Sequence, residues 1–435
     1  MTPEVRDRID QIRQGIVPEG YKKTKSGILP ESWSVRTIAE CLERVEHPVE
    51  VQANEMYTQI GIRSHGKGLF YKEPVTGDSL GNKSVFWIEP DCFILNIVFA
   101  WEQAIGKTTQ AEAGMIGSHR FPMYRPINGS IDIDYLISYL LTKRGTDILE
   151  AASPGGAGRN RTLGQDRFMK SRIVLPPLDE QKKIAEILAT QDKAIELQER
   201  KIDELKRFKK GCLERMFPRK GQKVPEKRFP GFTDDWEQRK LSEMCGTFEY
   251  GLNAAAKEFD GKNKYIRITD IDDASREFLL SDLSSPDICL DGMSKYLLSS
   301  GDIVFARTGT SVGKTYIYRE NDGIVYFAGF LIRAKVNQDN DAEFVFQSTL
   351  SPSYEKYIRI TSQRSGQPGV NAQEYGEYDL FAPSKEEQQR IGHFLRGIDN
   401  LITLHQRKLE EMKNQKKALM QLLLMGIVKT KGEVR

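Results

Sequence analysis

The segment that decides the fold spans residues 175–217 and reads LPPLDEQKKIAEILATQDKAIELQERKIDELKRFKKGCLERMF. A second segment, residues 382–424, reads APSKEEQQRIGHFLRGIDNLITLHQRKLEEMKNQKKALMQLLL. At a constant offset of 207 residues and without a gap, 14 of the 43 positions are identical. Internal similarity of this kind indicates a duplication in which each half of the chain ends in the same element.

Both segments are predicted to be long helices. Each follows a proline and carries acidic residues in its first turn, which favours a helix N-terminus. Apolar residues then recur with the seven-residue period of a coiled-coil seam. The predicted seam consists of Leu188, Ile195, Ile202, Leu205 and Met216 in the first helix, and Leu395, Ile398, Ile402, Leu409, Met412, Leu419 and Leu423 in the second.

Polar residues interrupt both seams at matching places, with Gln198 corresponding to His405 and Lys209 to Lys416. A helix with an apolar stripe needs a partner that covers it. Matching irregularities favour the pairing of the two helices with each other. The alternative is that each helix packs on its own globular domain.

A weaker repeat precedes each helix. The sequence LPESW, ending at Trp33, corresponds to FPGFTDDW, which ends 203 residues later at Trp236. The predicted organisation is a lead helix at 1–20, a globular domain at 21–174, a helix at 175–217, a linker at 218–228, a second globular domain at 229–381, a helix at 382–424 and a tail at 425–435.

The globular domains do not resemble each other between their matching ends. Each is predicted to contain one helix, at 131–150 and at 341–361, together with short β-rich runs. These runs are Ser84–Ile88, Phe93–Phe99, Tyr265–Ile268, Asp302–Ala306, Thr315–Tyr318 and Ile324–Ala328. The predicted fold class is therefore α+β: two globular domains separated by two long helices that pair as an antiparallel coiled coil.

The composition narrows the class of protein. The 435 residues, 39% of them hydrophobic, suffice for two or three cores at about 100–200 residues per domain. A formal net charge of +3 excludes a strongly basic DNA-coating protein and an acidic disordered chain. Most of the positive excess lies in the two repeated helical segments, whereas residues 225–380 are acidic.

Membrane, secretion and disulfide signals are weak. The apolar run at 92–101 is about half the roughly 20 residues that a transmembrane helix needs. Residues 1–20 lack the apolar core of a secretory signal. The five cysteines are scattered without a CxxC pair, so neither a zinc ribbon nor a disulfide framework is expected. We therefore expect a cytoplasmic protein without membrane contact.

The sequence GTSVGKT at 309–315 is similar to a phosphate-binding loop. Such a loop requires a glycine where this chain has Thr308, and it opens a helix, whereas the residues that follow predict a strand. A β-hairpin is the better interpretation, and a P-loop NTPase is the minor alternative. No catalytic, cofactor-binding or metal-binding set is evident, which favours a binding protein.

Basic and amide-rich turns favour contact with DNA, because Arg, Asn, Gln and Ser read base edges while Lys and Arg hold phosphates. The candidates in the first globular domain are Arg63, Ser64, His65, Lys67, Lys72, Lys83, Arg120, Arg159, Asn160 and Arg161. Those in the second are Lys262, Lys264, Arg267, Arg307, Thr308, Thr310, Ser311, Lys314, Arg364 and Gln367.

The duplicated helices, each with Glu-Gln-x-x-Ile near its start, resemble the central and C-terminal conserved helices of type I restriction–modification specificity subunits. The segments ending at Trp33 and Trp236 resemble the starts of that family's target recognition domains. Two further stretches, IGIRSHGKGLF at 60–70 and GDIVFARTG at 301–309, resemble sequences inside such domains. The resemblance covers almost the whole chain.

This resemblance implies a non-catalytic subunit that binds double-stranded DNA at a bipartite, asymmetric target. Its paired helices would separate the two half-sites and dock two modification subunits, which use S-adenosylmethionine to methylate adenine at N6. Two restriction subunits, which use ATP and Mg²⁺, would complete the complex. This chain itself would hold no cofactor. The alternative from another class is a coiled-coil scaffold without DNA specificity.

Overall fold

The computed structural model describes residues 2–81, 84–155, 161–219, 221–363, 366–428 and 430. The chain divides into two compact units: unit 1 comprises residues 1–196 and 410–435, and unit 2 comprises 197–409. The first long helix is Leu178–Met216 and the second is Lys385–Leu424. Because the boundary between units crosses both helices, each unit contains one globular domain and a portion of each long helix.

Short helices and short strands make up the globular domains. The short α-helices are Pro3–Arg13, Gly77–Leu80, Ile133–Leu140, Lys143–Ala152 and Gln165–Lys170 in unit 1, and Leu241–Met244, Ala342–Ser348, Pro352–Thr361 and Ala372–Gly376 in unit 2. The strands of unit 1 are Tyr21–Thr24, Gly27–Pro30, Ser34–Thr37, Leu42–Val45, Met56–Tyr57, Ile60–Ile62, Leu69–Tyr71, Val75–Thr76, Val85–Trp87, Phe93–Leu95, Ile105–Lys107, Ile116–Ser118, Met123–Pro126 and Arg172–Leu175. Those of unit 2 are Glu237–Lys240, Cys245–Tyr250, Ala256–Glu258, Lys264–Ile266, Ser284–Pro286, Asp302–Ala306, Thr315–Ile317, Val325–Phe327, Leu331–Val336 and Asp379–Ala382.

Each unit is built on a four-stranded antiparallel sheet. The spatial order in unit 1 is Ile105–Lys107, Phe93–Leu95, Met123–Pro126, Leu42–Val45. The order in unit 2 is Cys245–Tyr250, Leu331–Val336, Asp302–Ala306, Thr315–Ile317. The last two strands form the hairpin predicted around residues 307–314.

The sequence repeat around the two tryptophans corresponds to a shared structural frame. The strand after Trp33 pairs with Arg172–Leu175, which leads into the first long helix. The strand after Trp236 pairs in the same way with Asp379–Ala382, which leads into the second. Both indoles are fully buried. Trp33 Nε1 donates to Glu180 Oε2 at 3.1 Å in the first turn of the first long helix, whereas the Trp236 ring packs against Phe217 and Phe344.

A buried glutamine near the start of each long helix explains one of the repeated positions. The Gln181 amide accepts a hydrogen bond from Asp132 N (2.9 Å) and donates one to the carbonyl of the proline before its helix. Gln388 makes the same two bonds, accepting from Asp341 N at 3.0 Å. Asp132 and Asp341 are the N-caps of Ile133–Leu140 and Ala342–Ser348. The frame shared by the two units therefore includes a short helix that the sequence comparison did not align.

The predictions of one helix at 131–150 and one at 341–361 were wrong, because each region contains two short helices. Thr142 caps a new helix by accepting a hydrogen bond from Gly145 N. Ser351 caps the other, and Pro352, which has no N–H to donate, occupies its first turn. The sequence contains signals for both breaks: the capping residue Thr142 in the first region, and Pro352 in the second.

Other predicted elements are shorter than expected. The strand predicted at 93–99 ends at Leu95, where the Asn96 side chain accepts a hydrogen bond from Val98 N and forms a local turn. The lead helix predicted at 1–20 is Pro3–Arg13, and Gly15 follows it with a φ of +77°. The residues of the predicted tail up to Val428 return to unit 1, where Tyr21 Oη donates to the Gly426 carbonyl at 2.7 Å.

The two long helices pair with each other in antiparallel fashion inside each unit. In unit 2, Lys209 Nζ lies 2.6 Å from Asp399 Oδ1. In unit 1, Lys416 pairs with Asp192. These two ion pairs are the same pair in the repeat, because Lys416 and Lys209, like Asp399 and Asp192, are 207 residues apart. The repeated polar positions therefore hold matching contacts across the helix pair.

Gln198 and His405, which correspond to each other in the repeat, are also in direct contact. Gln198 Nε2 donates to the His405 carbonyl at 2.8 Å and lies 2.9 Å from its Nδ1. All the predicted seam residues are buried or half-buried. The long helices also contribute Leu188 and Leu395 to the cores of units 1 and 2. Pairing and packing on a globular domain were posed as alternatives, and the structure shows both.

Candidate nucleic-acid interface

In unit 1, several predicted DNA contacts lie on one β-hairpin loop. Strands Ile60–Ile62 and Leu69–Tyr71 pair antiparallel and leave residues 63–68 at the tip. The Arg63 guanidinium lies 5.0 Å from the centre of the Phe70 ring, and its Nη1 donates to the Leu69 carbonyl at 2.6 Å. His65 and the glycines around it have positive φ, which gives the loop its tight turn. The side chains of Arg63, His65 and Lys67 are exposed.

This loop is fixed to a neighbouring turn. His65 N donates to the Glu102 carbonyl at 2.8 Å, and Ser64 Oγ donates to its carboxylate at 2.9 Å. The adjacent Trp101 carries the Arg161 guanidinium 5.3 Å from its ring centre. We call Arg63, Ser64, His65, Lys67, Trp101 and Arg161 the unit-1 face. It combines cations, hydrogen-bonding groups and an aromatic ring on one surface.

The remaining candidates of unit 1 have other positions. Arg120 is exposed, and its carbonyl accepts a hydrogen bond from Ile97 N. The Ile97 carbonyl in turn accepts a hydrogen bond from Leu163 N, two residues after Arg161. Lys72 is exposed at the opposite end of the hairpin from the loop. Candidates Lys83, Arg159, Asn160 and, in unit 2, Arg364 lie outside the described residues.

In unit 2, the loop of the hairpin formed by Asp302–Ala306 and Thr315–Ile317 carries the central candidate, Arg307. Its guanidinium lies 5.1 Å from the Tyr250 ring centre and 5.9 Å from that of Phe330. Both rings are unusually exposed for aromatic side chains, at 45% and 58%. An arginine beside two exposed rings is an arrangement suited to nucleic acid, because the guanidinium can donate to base edges or to phosphates.

The surroundings of Arg307 form a shallow cavity of about 560 Å³, lined by residues that include Tyr250, Asn253, Arg267, Arg307 and Phe330. Thr308 forms a β-bridge with Gly369, next to the exposed Gln367, while Thr310 is exposed on the loop. We call Tyr250, Asn253, Arg307, Thr308, Thr310, Phe330 and Gln367 the unit-2 face.

The other candidates of unit 2 are engaged by neighbouring groups, buried or, in the case of Lys262, exposed. Arg267 binds Asp270 through two hydrogen bonds of 2.8 and 2.9 Å, and the carboxylate raises the pKa of the guanidinium. Lys264 donates to the Asp322 carbonyl. Lys314 pairs with Asp273 in a different cavity, beside the lysines of the first long helix. Ser311 is buried, and Lys262 is exposed.

The aromatic members of both faces were missed by the sequence reasoning. Trp101, Tyr250 and Phe330 belong to segments far along the chain from the arginines that they contact. No local sequence pattern indicates these contacts, because the folding of the chain brings the segments together.

A family model described as "Type I restriction modification DNA specificity domain" matches this chain twice, over residues 85–207 and 233–414. The chain belongs to this family. Each match contains a large part of one globular domain together with most of the long helix that follows it. The duplication recognised from the sequence is therefore a duplication of the specificity domain.

Relatives of full length agree with this assignment. The type I restriction enzyme MjaVIII specificity subunit of Methanocaldococcus jannaschii is 24% identical over 438 residues, which cover 97% of this chain and 99% of that protein. A solved structure described as concerning complex assembly and conformational transition of the type I R-M system contains a chain with TM-score 0.57 and 15% identity, covering 92% of this chain and 99% of that one. The type I restriction–modification S subunit from M. genitalium gives TM-score 0.53 at 14% identity, covering 90% and 96%. These two structures share the fold.

The alternatives raised by the sequence are not favoured for this member of the family. Residues 309–314 are followed by the strand Thr315–Ile317 and not by the helix that a P-loop opens. A scaffold without DNA specificity does not account for two matches to a DNA specificity domain. Among the described residues, no helix is long and apolar enough to span a membrane.

Proposed function

We propose that this chain is the non-catalytic subunit that gives a type I restriction–modification complex its DNA sequence specificity. Unit 1 recognises one half of a bipartite double-stranded target, and unit 2 recognises the other. The observation that carries the proposal is that each unit presents a loop on which an arginine guanidinium lies about 5 Å from the centre of an aromatic ring. The two loops differ in sequence and in the sheets that hold them, which supports an asymmetric target.

Catalysis belongs to partner subunits in this proposal. Two modification subunits transfer a methyl group from S-adenosylmethionine to adenine N6, and two restriction subunits use ATP and Mg²⁺ to move along DNA and cleave it. Their complex acts in the cytoplasm. The long helices offer a docking surface, since Leu197, Phe208, Leu401 and Leu404 of unit 2 are each exposed by 47–62%. An exposed apolar patch marks a protein interface when its side chains are contiguous.

Reconstitution with the modification subunits of the same system tests this division of labour. Methyl transfer from labelled S-adenosylmethionine into plasmid DNA should require both proteins, and the two should elute together in gel filtration. Either protein alone should give background incorporation. Equal methylation by the modification subunits without this chain would contradict the proposal.

The spacing between half-sites is predicted to depend on the long helices. At 1.5 Å per residue, the 39 residues of the first helix span about 58 Å, which exceeds one DNA turn of about 34–36 Å. Inserting one heptad into both helices beside Gln198 and His405 preserves the seam and adds about 10 Å. The gap in the methylated motif should lengthen by about three base pairs at 3.4 Å each.

Sequencing of methylated adenines in cells that carry the insertion variant measures this gap. A single-helix insertion is the matched control, because it shifts the register of the seam and should abolish methylation. Undiminished methylation at the original spacing in the double-insertion variant would show that the helices do not set the distance.

A further inference from the structure

Arg307 differs from the neighbouring cations of unit 2 in how its guanidinium is held. Arg267, Lys264 and Lys314 are engaged by carboxylates or by a carbonyl. Among the described residues, no carboxylate lies within ion-pair distance of Arg307. Its guanidinium carbon lies instead over the rings of Tyr250 and Phe330, 5.1 and 5.9 Å from their centres. A guanidinium held by aromatic rings rather than by a carboxylate keeps its N–H donors for a ligand.

Hydrogen bonds connect Arg307 and the two rings to the rest of unit 2. Arg307 N donates to the Phe330 carbonyl at 3.1 Å, and the Arg307 carbonyl accepts from Val370 N at 2.9 Å. Tyr250 Oη accepts from Ala372 N at 3.3 Å. Each of the three residues is therefore tied by a hydrogen bond to another segment of unit 2, so the arginine and both rings are brought together before DNA binds. Such preorganisation lowers the entropy cost of a directional contact.

We propose that Arg307 reads a guanine in the half-site bound by unit 2, donating two hydrogen bonds to its O6 and N7 from the major groove. This inference rests on the proposed function and assigns one base of its target. A phosphate contact requires charge and tolerates many directions. An arginine guanidinium presents two parallel N–H donors as a fork, which matches the edge of guanine with its two acceptors side by side.

The Arg307→Lys variant separates these two kinds of contact, because lysine keeps the charge and loses the fork. In the complex with its modification subunits, wild-type protein should methylate a motif with one fixed guanine, or its paired cytosine, in one half-site. The variant should lose the preference at that single base pair by about 5- to 150-fold, the discrimination expected of one bidentate contact. Duplexes substituted at each base pair in turn measure this loss as relative methylation rates.

Two further variants complete the test. Phe330→Ala keeps the arginine and removes one of the two rings beside it, so the same base pair should lose selectivity by a smaller factor. Arg239→Lys is the matched control, since Arg239 lies outside the unit-2 face beside Glu243 and should leave the motif unchanged. Thermal melting monitored by circular dichroism verifies that the variants are folded.

The outcomes distinguish this inference from the proposed function. An unchanged motif in Arg307→Lys, with methylation slowed equally at all sites, would overturn guanine recognition in favour of a phosphate contact. Relaxation at different positions in the Arg307 and Phe330 variants would also overturn it. Failure of wild-type protein to direct methylation to any motif would refute the proposed function itself.

Discussion

Replacing Arg228 with alanine is expected to lower the free energy of unfolding of unit 2 by about 3 kcal/mol. The Arg228 guanidinium donates to both carboxylate oxygens of Glu387, at 2.8 and 2.7 Å. The Glu387 side chain is only 1% exposed. Removing its partner leaves a buried carboxylate without a countercharge, and such a group loses far more in desolvation than an exposed one does.

The same linker supplies the control. Arg219 pairs with Glu226 at 3.3 Å, but both side chains are largely exposed, so Arg219→Ala should cost less than about 1 kcal/mol. Native-state hydrogen exchange of strand Asp302–Ala306 reports on unit 2, while strand Phe93–Leu95 reports on unit 1 and should not change. Adding Glu387→Gln to Arg228→Ala should recover part of the loss. Equal effects of the two arginine variants would show that the buried charge is not responsible.

Gly392 is expected to be intolerant of even a methyl group. A Cβ at this position of the second long helix would lie 2.6 Å from Asp341 Oδ1 and 2.9 Å from Phe344 N. Those two atoms form the N-cap hydrogen bond of Ala342–Ser348. Gly392→Ala should therefore destabilise unit 2 by about 2 kcal/mol, because overpacking and loss of the cap outweigh the roughly 1 kcal/mol by which alanine favours a helix.

Gly397, in the same helix, supplies the matched control. A Cβ there would meet no atom of the described residues within 4 Å beyond the adjoining helix backbone, so Gly397→Ala should stabilise unit 2 by up to about 1 kcal/mol. The two glycine variants should therefore change the free energy of unfolding of unit 2 in opposite directions, and the same hydrogen-exchange measurement detects both changes. The counterpart of Gly392 in the repeat is Ala185, which is buried in unit 1. Stabilisation by Gly392→Ala would mean that the short helix moves away from the long one without cost.

The long helices were predictable because their period and their polar interruptions occur twice in one chain. Gln198 and His405 were aligned by the repeat, and the structure places them in contact. The hairpin around residues 307–314 was also predictable, from apolar runs flanking a glycine-rich turn. The internal repeat therefore predicted the helices, and the local sequence pattern predicted the hairpin.

The faces were predictable only in part, because a solvated cation and a paired one have the same sequence signal. Arg267 and Lys314 were candidates equal to Arg307, yet carboxylates engage them in the folded chain. Asp270, three residues after Arg267, could have indicated that pair. The rings of Tyr250 and Phe330 come together with Arg307 only through the sheet, and no local pattern predicts that contact.

The central claim is that this chain selects a bipartite DNA target for methylation by its partner subunits. Single-molecule sequencing of N6-methyladenine in cells carrying the complete system, beside cells lacking only this gene, measures that most directly. The account predicts one asymmetric motif of two specific half-sites separated by a fixed gap, absent when the gene is deleted. A continuous motif without a gap, or the same methylation after deletion, would contradict it.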